Sequence, residues 1–283
     1  VVHKMRYIER DLVVEAVERL CIEANYYIED DVLNALKRSR KLETSSIGQR
    51  VLDQIIENDL IARNDSVPMC QDTGMVVVFL EIGNLIHIDY DIYEAINEGV
   101  RNGYLHGYLR KSVVKHPLDR VNTGDNTPAV IHTKIVMGNS LTITLAPKGA
   151  GSENMSLVKM LTPADGYEGV KKLVLDTIFD AKGKPCPPII VGVGIGGTFE
   201  KCAMLAKEAL MRPIDDVSDD PIARKLEEEL LEEINRLGIG PMGFGGTQTA
   251  LAVKVNVYPC HIASLPVAVN IQCHAARHKK IVL

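Results

Sequence analysis

Apolar residues recur at helical spacing through residues 10–63, where Leu12, Val13, Ala16, Val17 and Leu20 form one stripe and Val51, Leu52, Ile55, Ile56 and Leu60 another. This pattern predicts a helical N-terminal part reaching to about residue 65. At Met75 the texture changes to the β-rich run MVVVFLEIG. The runs AVIHTKIVM (129–137) and LTITLAP (141–147) read as a hairpin across Gly138-Asn139. Helical spacing returns from Tyr90 to Leu109, and again from Asp165 to Ala181, with Val170, Leu173, Val174 and Ile178 on one face. PPIIVGVGIGG reads as a buried strand entering a glycine turn, after which Thr198 is placed to cap a helix through Leu210. Residues 219–237 predict an acidic amphipathic helix whose charges, LEEELLEEINR, are its solvated face. Strands follow in Leu251 to Val257 and LPVAVNIQC, before the basic tail HAARHKK. With no repeat, low-complexity block or Ser/Gly linker, the expectation is one α+β domain over 1–283. In it the N-terminal helices pack on mixed or antiparallel sheets. Strands and helices are too mixed for an all-β sandwich and too irregular for a (β/α)₈ barrel.

Composition agrees with a folded chain: 283 residues, 46% hydrophobic and 24% charged, are enough for a core without disulfide staples. With 32 Lys and Arg against 37 Asp and Glu, a sequence-independent hold on nucleic acid is not expected. The stretch Val255 to Cys273 lacks Asp, Glu, Lys and Arg, but Asn256, Pro259, His261, Pro266, Asn270 and Gln272 make it too polar for hydrocarbon, so no membrane span is expected. The opening VVHKMRYIERDL has no apolar run or small-residue cleavage site, which points to a cytoplasmic, reducing setting. There the six cysteines would be thiols, metal ligands or redox groups rather than bridges.

Gly192, Gly194 and Gly197 satisfy GxGxxG between a strand and a helix, with Asp215 and Asp216 downstream, as a nicotinamide-dependent dehydrogenase would require. That fingerprint needs a second strand ending at the acidic residue. LMRPIDDVSDDP offers none, so a glycine-tight strand-to-helix turn is the better reading.

Polar residues able to do chemistry gather in five loops: PMCQDTG (68–74), DRVNTGDNTPAV (119–130), APKGAGSENMS (146–156), KPCPPIIVGVGIGGT (184–198) and YPCHIASLPVAVNIQCHAARH (258–278). Gly149 and Gly151 beside Lys148 suit either an anion nest or a plain turn. Asp72, next to Gln71 and Cys70, could exchange a proton or simply close an Asx turn, and His261 reads as a catalyst or a satisfied core histidine. There is no CxxC, so a metal site would have to be assembled from separate loops. Three thiolates brought together that way suit an iron–sulfur cluster or zinc.

Taken in order, PMCQDTG, NTGDNTPAVIH, PKGAGSENMS, PCPPIIVGVGIGGT and HIASLPVAVNIQCHAARH resemble the α subunit of the two-subunit class I, iron–sulfur-dependent fumarate hydratases and L(+)-tartrate dehydratases. The resemblance runs from about Val13 to the C-terminus. It implies a [4Fe–4S] cluster held by Cys70, Cys186 and Cys273, with one iron left open to substrate. It also implies Asp72 as proton-transfer group, Gln71, Arg110 and the Gly149–Gly151 backbone as holders of substrate, and His261 hydrogen-bonded to substrate or to the catalytic acid. Cys21, Cys202 and Cys260 lie outside the pattern. Cys21, on an apolar helical face, reads as a small buried hydrophobe, while Cys202 and Cys260 could stand near the cluster without binding it. The resemblance further implies a separate β subunit completing the active site, self-association of α chains in an α2β2 assembly, and a small dicarboxylate substrate. The expected reaction is reversible dehydration of (S)-malate to fumarate, with L(+)-tartrate as the alternative. A non-catalytic iron–sulfur sensor subunit is the competing reading, but such a protein usually fills all four iron positions with ligands.

Overall fold

A computed structural model describes residues 5–283; residues 1–4, part of the stretch read for a leader, lie outside the described residues. The elements in chain order begin with β1 (Arg6–Tyr7), α1 (Arg10–Tyr26), α2 (Asp30–Leu42), α3 (Ser46–Asp65), β2 (Met75–Gly83), β3 (Ile86–His87) and α4 (Ile92–His106). They continue with β4 (Val130–Val136), β5 (Leu141–Lys148), α5 (Ala150–Glu153), β6 (Leu157–Leu161), α6 (Gly166–Ala181) and β7 (Ile189–Gly196). Last come α7 (Phe199–Ala209), α8 (Pro221–Arg236), β8 (Ala250–Tyr258), β9 (Leu265–Gln272) and β10 (Lys279–Val282). The fold is α+β, with the N-terminal helices packed on mixed sheets. Among the described residues no helix is long and apolar enough to cross a membrane.

The chain forms two compact units, each built from separate segments. One comprises the chain up to Ile28 with Ile61–Ala150 and Arg277–Leu283; the other comprises Glu29–Leu60 and Gly151–Ala276. Because the chain passes between them inside α3 and at the start of α5, no linker composition marks the boundary.

In the first unit, strands run in the order β10-β5-β2-β4. Alternation in β2 buries Val76, Val78 and Leu80, which share a core with Val13, Val17 and Leu20 of α1, Ile96 and Val100 of α4, and Leu141, Ile143 and Leu145 of β5. Helix α4 starts where the Asp91 carboxylate accepts the N–H groups of Tyr93 (2.9 Å) and Glu94 (3.1 Å). The hairpin expected across Gly138-Asn139 is not formed. β2 lies between the two runs, antiparallel to β5 and parallel to β4. The physical reason is burial: β2 is the more apolar strand and takes the centre, leaving the largely exposed β4 at the edge.

In the second unit the order is β6-β9-β7-β8, with β7 parallel to β8 and antiparallel to β9. The two faces of β7 divide cleanly. Val191 and Val193 join the core made with Val170 and Val174 of α6 and Leu226 and Leu230 of α8. Gly192 and Gly194 face α7: a Cβ on Gly192 would lie 2.1 Å from the Ala206 carbonyl oxygen, and one on Gly194 2.0 Å from that of Cys202. The GxGxxG glycines are therefore the contact surface for a helix laid directly on the strand backbone. Asp216 is committed elsewhere, paired with Arg212 (2.9 Å) and the buried Lys254 (2.9 Å). Burial works to raise its pKa, but these two cations outweigh it and hold the carboxyl below its usual range. Thr198 precedes α7 as expected, yet its hydroxyl donates to the Glu200 carboxylate (2.7 Å) instead of capping the helix.

Candidate active site

In the first unit, strand register brings three distant segments together. β5 is flanked by β2 and β10; Met75 pairs with Lys148, and Lys279 pairs with Leu145. Residues 70–74, just before β2, and residue 277, just before β10, are thus both delivered to the C-terminal end of β5, where Gly149 follows. Cys70 is half-buried, its sulfur 3.6 Å from Oε1 of the exposed Gln71. The Asp72 carboxylate accepts two backbone N–H groups, Gly74 at 3.1 Å on Oδ1 and Ala150 at 2.8 Å on Oδ2.

The loop carrying Asp72 is clamped along its length. The Tyr104 hydroxyl donates to the Thr73 and Gly74 carbonyls, and Asn126 Nδ2 donates to the Gly74 carbonyl at 3.1 Å. Thr73 Oγ1 donates to the Arg110 carbonyl (2.7 Å), and the Ser112 N–H donates to Asn126 Oδ1 (2.7 Å), which places Arg110 beside the loop with its side chain exposed. Arg277 Nη1 donates to the Asp72 carbonyl at 2.6 Å and to Asn25 Oδ1 at 3.0 Å. Burial pushes the Tyr104 hydroxyl far above its ordinary range, so it stays a donor at any working pH.

Gly149 is buried, and a Cβ there would sit 3.1 Å from Asp72 Oδ2. Gly149 and Gly151, read as an anion nest or a plain turn, both lie outside the positive-φ region. A side chain at Gly149 would have to push the Asp72 carboxylate aside by a few tenths of an ångström.

In the second unit, antiparallel pairing of β7 with β9, with Ile190 opposite Gln272, brings the loop before β7 and the residue after β9 to one sheet end. These carry Cys186 and Cys273, and the His274 N–H donates to the Cys186 carbonyl at 3.3 Å. Both thiols are half-buried and unbridged. Gln272 Nε2 donates to the Cys273 sulfur at 3.4 Å, and Cys186 sits at φ +57, which aims the turn ahead of Pro187. Gly151 lies beside this turn, its Cβ position 3.8 Å from the Lys184 carbonyl oxygen.

β8 starts at this sheet end too, preceded by the glycine-rich run GPMGFGGTQT (240–249), which the sequence reading passed over although it has the composition of the five loops chosen. It is held by the buried Glu43, whose carboxylate accepts the N–H groups of Ser45 (2.8 Å), Thr247 (3.0 Å) and Gln248 (2.9 Å). Burial works to raise the Glu43 pKa, but these N–H groups prevail and leave it below the usual carboxylate range.

His261 lies elsewhere. The turn between β8 and β9 holds it exposed at the opposite end of β7, roughly 25 Å from the cysteine end at about 3.3 Å per residue. It rims an open apolar groove of about 430 Å³ lined by Tyr167, Val170, Ile195, Leu226 and Val257. Cys260 accompanies it, exposed, its sulfur 3.3 Å from the Ser264 carbonyl oxygen. Cys21 is fully buried, and burial raises its thiol far above the ordinary range, as befits a hydrophobe. Cys202 is buried against β7 and donates to the Phe199 carbonyl (3.2 Å).

The donor chemistry of Cys186 and Cys273, two soft thiols on segments joined by the His274 N–H to Cys186 carbonyl bond, with an amide donating to one of them, suits an iron–sulfur or other soft-metal centre. Among the described residues no three His, Cys, Asp or Glu side chains converge closely enough to hold a metal ion.

Comparison with known proteins gives one consistent picture. The family model described as "Fumarate hydratase (Fumerase)" matches residues 14–282. A protein of Methanocaldococcus jannaschii, provisionally named L(+)-tartrate dehydratase subunit alpha, is 49% identical over 274 residues, covering 94% of each chain. The L(+)-tartrate dehydratase subunit alpha of Escherichia coli K12 is 34% identical over 252 residues, covering 88% of this chain and 83% of its own. The protein of that name from Shigella boydii matches to the same extent.

Proposed function

Because the chain belongs to the fumarate hydratase (Fumerase) family, we propose that it is the α subunit of an iron–sulfur hydro-lyase that removes water from a 2-hydroxydiacid, L(+)-tartrate foremost. As a member of that family it is a hydro-lyase. The loop motifs alone put (S)-malate first; the subunit names borne by relatives 49% and 34% identical move L(+)-tartrate ahead of it. One hydroxyl separates the two substrates, and a site with a partner for that hydroxyl discriminates strongly against the acid lacking it.

The observation that carries the reading is the β7–β9 pairing, which delivers Cys186 and Cys273, far apart in sequence, to one sheet end. These two residues and Cys70 are the proposed ligands of a [4Fe–4S] cluster. When bound, such a cluster with one iron lacking a protein ligand supplies Lewis acidity at the departing hydroxyl. The rest of the reaction falls to side chains. Loss of water takes hydroxide from C2 and a proton from C3. Asp72, its two oxygens already oriented by the Gly74 and Ala150 N–H groups, is the proposed proton-transfer group. The exposed Arg110 guanidinium and Gln71 amide are suited to gripping substrate carboxylates, together with the Gly149–Gly151 backbone.

The relatives carry the name subunit alpha, and a β subunit is the proposed partner that completes the site in an α2β2 assembly. Self-association of α chains explains His261. Standing at the far end of β7 from its own Cys186 and Cys273, it serves the corresponding site of a second copy. The apolar groove beside it and the protruding Ile262, 92% exposed, give that copy a surface to meet.

The test is anaerobic reconstitution with iron and sulfide, addition of the β subunit, and parallel assays of L(+)-tartrate and (S)-malate dehydration. A higher kcat/KM for tartrate is expected. A complex that carries its cluster yet turns over neither acid refutes the reading.

A further inference from the structure

We propose that Arg277 is a positioning residue for the proton-transfer loop, holding the Asp72 peptide in place from the end of β10. The proposal deepens the reading of Asp72 given above and rests on it for its catalytic consequence.

Arg277 is only 4% exposed. A guanidinium loses favourable hydration when buried, so its place must be secured by the contacts it makes. Those contacts converge on the loop. One terminal nitrogen bridges the Asp72 carbonyl and Asn25 Oδ1, at 2.6 and 3.0 Å, tying the loop to the last turns of α1. The other lies 3.4 Å from where a Cβ on Gly149 would stand, while Asp72 Oδ2 lies 3.1 Å from the same point. The planar group therefore fills the space behind the Asp72–Gly149 contact, leaving its buried Nε without a hydrogen-bond partner among the described residues. Asn25 is itself fixed: it is fully buried, and its Nδ2 donates to the Cys21 carbonyl at 2.9 Å. The clamp is thus anchored at one end in helix α1 and at the other in the β10–β5 ladder, whose Lys279–Leu145 pairing brings Arg277 level with the end of β5.

A lysine at this place could keep one hydrogen bond and the charge, but it has no flat face to lay behind Gly149. A small displacement of a proton-transfer group slows the reaction far more than it weakens substrate binding.

The test is Arg277→Lys in the chain reconstituted with iron and sulfide and joined to the β subunit, compared with wild type by amide hydrogen exchange and steady-state kinetics. Exchange in residues 69–76 is expected to quicken at least tenfold. With it kcat should fall about 10- to 100-fold while KM stays within about threefold. Asn25→Ala, which removes the second acceptor together with the amide bond to the Cys21 carbonyl, should shift both readouts the same way by less. Unchanged exchange in 69–76, or a loss confined to KM, overturns the proposal. If wild type turns over neither acid, the hydro-lyase reading fails by itself, and hydrogen exchange still decides whether Arg277 holds the loop.

Discussion

Replacing Tyr104 with Phe removes one oxygen from the centre of the first unit and tests whether the Asp72 loop is held as described. The ring is fully buried and its packing is kept. What is lost is the hydroxyl donated to the Thr73 and Gly74 carbonyls. Gly74 keeps a donor, Asn126 Nδ2 at 3.1 Å, whereas the Thr73 carbonyl loses the one that Tyr104 gives it. Leaving one buried acceptor unsatisfied costs about 1–3 kcal/mol. Taking about 2 kcal/mol and roughly 2–4 °C per kcal/mol, the Tm should fall by about 4–8 °C. In the reconstituted enzyme kcat should fall by about tenfold or more, because Asp72 sits on the loosened loop.

The pH dependence has a definite sign. Burial raises the Tyr104 pKa in the folded chain, so folded protein keeps this proton above about pH 10, where the unfolded chain loses it. Wild type therefore loses about 1.4 kcal/mol per pH unit from this group above that point. The variant does not, so the stability gap is constant from pH 6 to 9 and narrows beyond 10. Tyr90→Phe is the control, since the buried Tyr90 hydroxyl has no partner among the described residues and its removal should be neutral or stabilising. Thermal denaturation across this pH range measures both variants. A Tm for Tyr104→Phe within 1 °C of wild type, or a gap that widens above pH 10, would mean that the Tyr104 hydroxyl does not hold the loop.

Other substitutions separate the site from the scaffold. Gly149→Ala places a methyl 3.1 Å from Asp72 Oδ2; it should depress kcat by about tenfold with a Tm change of no more than a few degrees, read by the same assays. Gly194→Ala drives a Cβ to within 2.0 Å of the Cys202 carbonyl oxygen, and in an urea melt it should cost about 3 kcal/mol or more by lifting α7 off the sheet. NAD should bind neither that variant nor wild type in a calorimeter. His261→Ala and Cys186→Ser chains should each be inactive alone; refolded together they should regain part of the activity, since a mixed pair keeps one intact combination. No recovery from the mixture would place His261 outside the reaction of a second copy.

Much of the scaffold is legible in the chain because most elements announce themselves by a single period: the stripes of α1, α4, α6 and α8 and the alternation in β8 are local facts. Pairing is not local. β4 and β5 look like a hairpin from their own residues, and only the greater apolarity of β2 decides that it goes between them. The two-unit organisation is equally hidden, since each unit is assembled from separate segments and α3 runs across the boundary. At the site, Cys186 and Cys273 are visible as motif residues, but their adjacency depends on the β7–β9 register. Arg277, Tyr104 and Glu43 escaped the reading for a common reason. Their work is done through backbone atoms of other segments, which leaves no pattern of residue types to recognise. Arg277 lies within the HAARHKK tail, where charge suggests solvent, yet it is buried.

In the proposed cluster, Cys70, Cys186 and Cys273 are the three protein ligands. Iron bound per chain after anaerobic reconstitution, compared among wild type, Cys21→Ser and the three single Ser variants at those positions, tests this assignment most directly. Wild type and Cys21→Ser should carry a full complement of iron, and each of the other three a marked deficit. A Cys70→Ser, Cys186→Ser or Cys273→Ser chain that takes up as much iron as wild type would contradict the assignment.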